Sequence, residues 1–247
     1  PELEAILAAS GKTDLLEQLQ SIIPSHVNCI FVRQTQPLGL GHAILCAEPA
    51  IGGEPFAVLL PDDLMAGDPR PTKELVRRFE VSGNSCITVA KVPREDLHLY
   101  GIIHPISDSS VEAVRISGIV EKPAEGTAPS DMAAIGRYVF TPDIFDHLKQ
   151  QKPGVGGEIQ LTDAINVMAE LGAVEAIAYR GRRYDCGSKI GYLEATVDHA
   201  LAHPEFGEAF AELIRRKALA LPQGTDVAAD QNQEVSPSVQ SVLDNMW

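Results

Sequence analysis

Hydrophobic residues in this chain fall into short runs rich in β-branched residues and leucine, separated by stretches in which apolar positions recur at helical spacing. The short runs predict strands over 28–33, 56–60, 86–92, 101–104, 117–120, 134–140 and 174–179. Between them, Thr141-Pro142-Asp143 has the signature of a helix start: a hydroxyl cap, proline at the first helical position and an acid in the first turn. A helix over 162–171 sets Ile165, Met168 and Leu171 on one face before Gly172. Another places Ile190, Leu193, Val197 and Leu201 together and stops at His203-Pro204. At the amino end, Leu3, Ile6 and Leu7 already follow helical spacing, which breaks at Gly11-Lys12-Thr13 and resumes at Leu15, Leu16, Leu19 and Ile22. Strands alternating with helices predict an α/β fold of Rossmann-like character, a mixed and mainly parallel sheet flanked by helices. The domain is expected to fill residues 1–220, and the polar stretch 221–247, rich in Gln, Asp and Ser, reads as a flexible tail.

Composition narrows the classes of partner. With 247 residues, 45% hydrophobic and 5% aromatic, the chain can bury the core of one α/β domain. Its net charge of -14 lacks the basic footprint that nucleic acid or an anionic membrane requires, and no apolar run has the length of a membrane span. Neither nucleic acid nor membrane is therefore an expected partner. The same charge means that a phosphorylated substrate needs a local cation, a lysine or backbone N–H groups. Cys29, Cys46, Cys86 and Cys186 are scattered, with no CxxC pair, and are expected to be reduced and mostly buried thiols in a cytoplasmic protein. The chain opens on Pro1 inside a helical pattern, and is expected to be a piece of a longer polypeptide.

Candidate chemistry begins where the run Phe56-Ala57-Val58-Leu59-Leu60 stops at Pro61 and delivers Asp62 and Asp63. In open α/β sheets ligands collect beyond the carboxyl ends of such strands, so the two aspartates stand where a metal or nucleotide binds. An isolated Pro-Asp-Asp is more often a strand end and turn. The stretch from Gln34 to Gly39-Leu40-Gly41 predicts a turn with little bulk near the main chain, which a flat base can approach while the Gln34 amide offers donor and acceptor. A tight turn that simply needs glycine explains it equally well. Gly39-Leu40-Gly41-His42-Ala43-Ile44 is not a GxGxxG fingerprint, because Ile44 replaces the third glycine, and HExxH, GxSxG and GxxxxGK[ST] do not occur.

Seven motifs then occur in an order that resembles the bacterial UTP:glucose-1-phosphate uridylyltransferases, also called UDP-glucose pyrophosphorylases. They are Gln34 with Gly39-Leu40-Gly41-His42-Ala43, Leu60-Pro61-Asp62-Asp63, Tyr100-Gly101-Ile102-Ile103, Gly118-Ile119-Val120-Glu121-Lys122-Pro123, Ile135-Gly136-Arg137-Tyr138, Gly157-Glu158-Ile159-Gln160-Leu161-Thr162-Asp163-Ala164 and Tyr184-Asp185-Cys186-Gly187-Ser188-Lys189. The likeness runs from Glu2 to Lys217. It implies a sugar nucleotidyltransferase fold and Mg2+-assisted transfer of a uridylyl group from UTP to glucose 1-phosphate, giving UDP-glucose and pyrophosphate. It also implies a cytoplasmic homo-oligomer.

By the same resemblance Asp62 and Asp185 are metal ligands and catalytic, with Asp63 behind them. Lys122 contacts the sugar phosphate, Glu121 the glucose hydroxyls, Gly101 and Gly136 let the main chain approach the sugar, and Gln34 and Gly39 meet uracil. Glu158, Gln160 and Asp163 shape the sugar pocket or a subunit contact. The residues alone leave room for plainer roles: Asp185 as a cap before a helix at Ser188, Glu121 and Lys122 as a surface ion pair, and the glycines as strand or turn residues. The family's amino-terminal GxGTRxLP loop and PKE lysine do not occur in these 247 residues, so the chain by itself is expected to be inactive. The alternatives are a dTTP-using glucose-1-phosphate thymidylyltransferase and a non-catalytic lobe that binds sugar nucleotide.

Overall fold

The computed structural model describes residues 2–24, 26–68, 70–106 and 113–220; the tail expected over 221–247 lies outside the described residues. In chain order the helices and strands are α1 (Glu2–Ala9), α2 (Thr13–Ser21), α3 (Gly39–Cys46), α4 (Glu48–Ile51), β1 (Phe56–Leu59), β2 (Asp63–Ala66), α5 (Pro71–Ser82), β3 (Ser85–Lys91) and β4 (Gly101–Pro105). They continue with β5 (Ala113–Glu121), β6 (Met132–Phe140), α6 (Ile144–Gln150), α7 (Leu161–Glu170), β7 (Val174–Ala178), β8 (Arg182–Asp185), α8 (Lys189–Leu201) and α9 (Gly207–Leu219). The chain divides into two compact units, Pro1–Gly187 and Ser188–Trp247.

In the first unit six strands form one sheet in the order β1-β6-β3-β7-β5-β4, and β2 pairs with β8 in a separate ladder. The sheet is mixed, as expected, but it is not mainly parallel. Among the described pairings only β3–β7 is parallel, while β1–β6, β3–β6, β4–β5 and β5–β7 are antiparallel. Connection length is one physical reason, because a parallel crossover needs about a dozen residues or more. The link 106–112 between the paired strands β4 and β5 is shorter than that, whereas β3 is joined to β7 through a long excursion that includes α6 and α7.

Strand β3 lies inside the sheet, and its first five residues are buried. On one face Ile87, Val89, Ile116, Phe140, Leu148 and Met168 join the main core that α6 and α7 cover. On the other, Leu75 of α5 packs with Cys86, Val139 and Ile177. Burial pushes the Cys86 thiol up to about 12, so it stays a neutral apolar filler.

Glu175 of β7, only 4% exposed, meets Arg78 of α5 through Nε at 2.5 Å and Nη2 at 3.1 Å, and accepts from Asn84 Nδ2 at 3.2 Å. The Arg78 hydrogen bond outweighs burial and holds the Glu175 carboxyl below its ordinary value of 4.5. A depressed carboxyl contributes stability above its unfolded value and loses it as the pH falls through the lower, folded value. Glu175→Gln is therefore expected to flatten the loss of stability below pH 4.5, read as urea midpoints between pH 7 and 3. An unchanged acid slope would show that this pair does not set it.

Three sequence expectations shift. Residues 28–33 do not form a strand: Ile30, Phe31 and Val32 are 70%, 96% and 48% exposed, and no described strand lies alongside to accept their hydrogen bonds. Thr141 does not cap a helix, because its N–H and hydroxyl are both taken by the Ser85 hydroxyl at 3.0 Å, and α6 begins three residues later at Ile144. Leu171 lies past the end of α7 and is 71% exposed, while Ile165 and Met168 are buried as expected.

In the second unit the Ser188 hydroxyl caps α8, accepting from Gly191 N–H at 3.0 Å. That helix buries its small residues Gly191 and Ala195, and leaves Ile190 and Leu193 at 75% and 55% exposure.

Candidate active site

A strand that ends in Leu-Pro-Asp-Asp needs something to hold the turn. Leu60 N–H donates to the Gly136 carbonyl at 2.9 Å, and the Arg137 guanidinium donates to the Leu60 carbonyl at 2.8 Å and the Asp63 carbonyl at 2.9 Å. Asp63 turns inward and is 7% exposed, accepting from Gly136 N–H at 2.9 Å and from Arg183 Nε. Asp62, its neighbour, is exposed. The two adjacent aspartates are thus divided into a buried fastener and an outward carboxylate.

Strand β8 brings the third carboxylate. In the β2–β8 ladder Asp63 is directly opposite Asp185, and Cys186 N–H donates to the Asp62 carbonyl at 2.7 Å. Like charges facing across an antiparallel pair repel. Arg183, two residues before Asp185 and on the same face of the strand, meets Asp63 through Nε and approaches Asp185 Oδ2 at 3.7 Å through Nη2. Burial works against the Arg183 charge, but hydrogen bonds to Tyr100 and Asp63 outweigh it and keep the guanidinium charged. Asp185 also accepts from the Tyr100 hydroxyl at 2.9 Å and from Gly187 N–H at 3.1 Å.

A cavity of about 350 Å³ opens over these groups, within the size range of small-ligand sites. Asp62, Asp185, Glu121, Lys122, Gly101 and Gly136, six of the residues singled out in the sequence, line it together. Lys122 stands just past β5 with φ of 44°, a left-handed conformation that costs a side chain about 1–2 kcal/mol. Its N–H donates to the Tyr100 carbonyl at 3.0 Å, and its ammonium, on a side chain that is 66% exposed, is 4.0 Å from Glu121. Strain of this kind gathers at functional sites. Lys122→Gly is accordingly expected to unfold at a higher temperature than Lys122→Ala, although both lose the ammonium and both lose turnover; equal melting temperatures would show that the backbone there is unstrained.

The glycines are explained by close approach. A Cβ on Gly136 would stand 2.5 Å from Asp63 Oδ2, and one on Gly101 would stand 3.3 Å from Glu121 Oε2. Gln34 and Gly39 do not line the cavity; Gly39 adjoins it through Glu158, which does. The Gln34 amide nitrogen donates to the Gly39 carbonyl and to His42 Nδ1, both at 3.0 Å, which fastens the glycine turn. Gln160, also on the cavity wall, donates to Glu158 at 2.9 Å.

Sequence reasoning missed three contributors to the wall: Tyr100, Tyr138 and Arg183. Burial, with Asp63 and Glu121 adding to it, pushes the Tyr138 hydroxyl far above the ordinary phenol range, so it is a neutral group facing an acidic site. Arg183 carried little signal, because the short strand that sets it on one face with Asp185 has no apolar pattern and its partner Asp63 lies 120 residues away. Tyr100 carried none, since its partner lies 85 residues away.

This arrangement of sheet, acidic turn and adjoining glycine loop defines a nucleotide-transferring class: residues 3–200 match the model of the nucleotidyl transferase family. The UTP--glucose-1-phosphate uridylyltransferase of Haemophilus ducreyi is 44% identical over 227 residues, which cover 89% of this chain and 77% of that protein. Among solved structures, a UTP-bound UGPase from Acinetobacter baumannii is 41% identical with a TM-score of 0.77, covering 90% of this chain and 75% of that one. A UDP-glucose pyrophosphorylase complexed with UDP-glucose is 41% identical with a TM-score of 0.67, covering 70% of this chain and 66% of that one. The chain belongs to the nucleotidyl transferase family, in its UTP--glucose-1-phosphate uridylyltransferase branch.

Proposed function

We propose that the protein transfers the uridylyl group of UTP to glucose 1-phosphate, giving UDP-glucose and pyrophosphate, and that these 247 residues assayed by themselves are inactive. The convergence of Asp62, Asp185, Glu121 and Lys122 on one cavity carries the reading. A phosphate oxygen of glucose 1-phosphate forms a bond to the α-phosphorus of UTP as the bond from that phosphorus to the β-phosphate oxygen breaks. The attacking oxygen is already anionic, so no general base is required and positioning is the protein's main task. Lys122 pairs with the sugar phosphate, a natural role for a mobile ammonium in an acidic chain, and Glu121 accepts hydrogen bonds from glucose hydroxyls. The turn fastened by Gln34, Gly39 and His42 receives the uracil.

The donor set also suits Mg2+. Among the described residues no three His, Cys, Asp or Glu side chains form a metal cage, and Mg2+ ordinarily takes one or two carboxylates plus substrate oxygens. Gly187 keeps open the space between the pair: a Cβ there would stand 3.2 Å from Asp185 Oδ1 and 3.3 Å from Asp62 Oδ2. Asp62 and Asp185 would hold the ion, which when bound would offset charge on the α-phosphoryl group and the pyrophosphate.

No helix among the described residues is long and apolar enough to cross a membrane; the four cysteines are free thiols, but against expectation only Cys86 is buried, Cys29 being exposed and Cys46 and Cys186 half-buried. The proposal includes a cytoplasmic setting and homo-oligomeric assembly, both carried from the resemblance. The decisive assay is pyrophosphate release by the complete polypeptide from glucose 1-phosphate with UTP or dTTP in parallel. Faster turnover with UTP supports the reading, and equal or faster turnover with dTTP would overturn it.

A further inference from the structure

We infer that Arg183 and Tyr100 are positioning residues that set Asp185 against Asp62 for the divalent cation. This inference rests on the reading of those two aspartates as metal ligands. Asp63 and Asp185 face each other across the β2–β8 ladder, and Asp62 follows the same turn. Three carboxylates so placed would spread apart unless something held them.

Arg183 is the tie. Its side chain is 15% exposed; Nε holds Asp63, Nη1 donates to the Tyr100 hydroxyl at 3.3 Å, and Nη2 approaches Asp185 at 3.7 Å. The guanidinium carbon also lies 5.0 Å from the centre of the Tyr100 ring, a cation–π contact that fixes the plane of the fork. The Tyr100 hydroxyl passes the constraint on, donating to Asp185 Oδ2 at 2.9 Å. Asp63 anchors the other end through the buried Gly136 N–H, so the chain of contacts runs from the main sheet to Asp185. Arginine is suited to this because its planar fork holds several partners in one fixed geometry, whereas the donors of an ammonium rotate freely. Neither side chain is required to touch substrate.

Positioning and simple charge neutralisation make opposite predictions. If Arg183 only offset negative charge, removing it would tighten cation binding, and lysine would serve as well. If it aligns the carboxylates, removing it weakens binding, and lysine fails to rescue.

The test titrates Mn2+ into the chain with saturating UDP-glucose, following free Mn2+ by electron paramagnetic resonance. Arg183→Gln and Arg183→Lys are each expected to weaken Mn2+ binding roughly 10- to 100-fold, the usual effect of removing a group that orients a metal ligand. Tyr100→Phe deletes one oxygen and keeps the ring; it is expected to weaken binding in the same direction, and it decides the matter if the Arg183 variants do not fold. Unchanged or tighter Mn2+ binding in Arg183→Gln, full rescue by lysine, or unchanged binding in Tyr100→Phe would overturn the inference. Asp185→Ala serves as the control: full-strength Mn2+ binding in that variant would overturn the metal reading itself.

Discussion

Asp62→Ala or Asp185→Ala is expected to lower uridylyl transfer by roughly 10²- to 10³-fold, the range seen when one charge-stabilising group is removed from other active sites. The fold should be undisturbed. Asp62 is exposed and the Asp185 side chain is 36% exposed, so neither substitution removes apolar packing. Asp63→Ala should lose stability first. It leaves the Arg183 guanidinium and the Gly136 N–H without a buried carboxylate, a loss on the order of 3–5 kcal/mol for a broken buried ion pair. Adjacent, chemically identical residues are therefore separated by the measurement: turnover falls at an unchanged melting temperature for Asp62, and the melting temperature itself falls for Asp63. Near-normal turnover in Asp62→Ala at saturating Mg2+ would overturn the proposal that it holds the cation.

Much of this division was hidden in the sequence, and the reasons are physical. Runs with strong apolar patterns were legible: β3 and β6 are buried along most of their length, and burial is what such runs report. Strands β2 and β8 were not legible, because Asp-Leu-Met-Ala and Arg-Arg-Tyr-Asp have neither the β-branched content nor the alternation of a half-buried strand. They pair through their backbones over four residues each, and the buried Asp63–Arg183 contact fastens one to the other. The run over 28–33 failed in the other direction, since a strand is a property of a pair and apolar content alone supplies no partner. Site residues followed the same logic. Asp62, Asp185, Glu121 and Lys122 were found through motifs, and the structure brings them to one cavity. Tyr100 and Arg183 were passed over because their importance lies in contacts between distant segments.

The close approach at Gly136 is expected to make Gly136→Ala the most damaging single-methyl change in the site. Its added Cβ would meet Asp63 Oδ2 at 2.5 Å, Asp63 Cβ at 2.8 Å and Leu60 Cβ at 2.9 Å. None of these atoms is the free end of a flexible chain. Asp63 cannot retreat without giving up its hydrogen bond from Gly136 and its contact with Arg183, and Leu60 is fixed by its N–H bond to the Gly136 carbonyl at 2.9 Å. Overpacking costs about 1–3 kcal/mol and the loss of a hydrogen bond to a charged group about 1.5–3 kcal/mol. Together they predict a loss of roughly 3–5 kcal/mol, which at about 2–4 °C per kcal/mol lowers the melting temperature by on the order of 10 °C. Activity should fall further than stability alone explains, because the same turn carries Asp62. Gly53→Ala is the matched control: nothing lies within 4 Å of its Cβ position, and the change should stay within about 0.5 kcal/mol. A Gly136→Ala protein that melts with the Gly53→Ala control would mean that the Asp62–Asp63 turn can yield, and that glycine at this position serves the substrate rather than the fold.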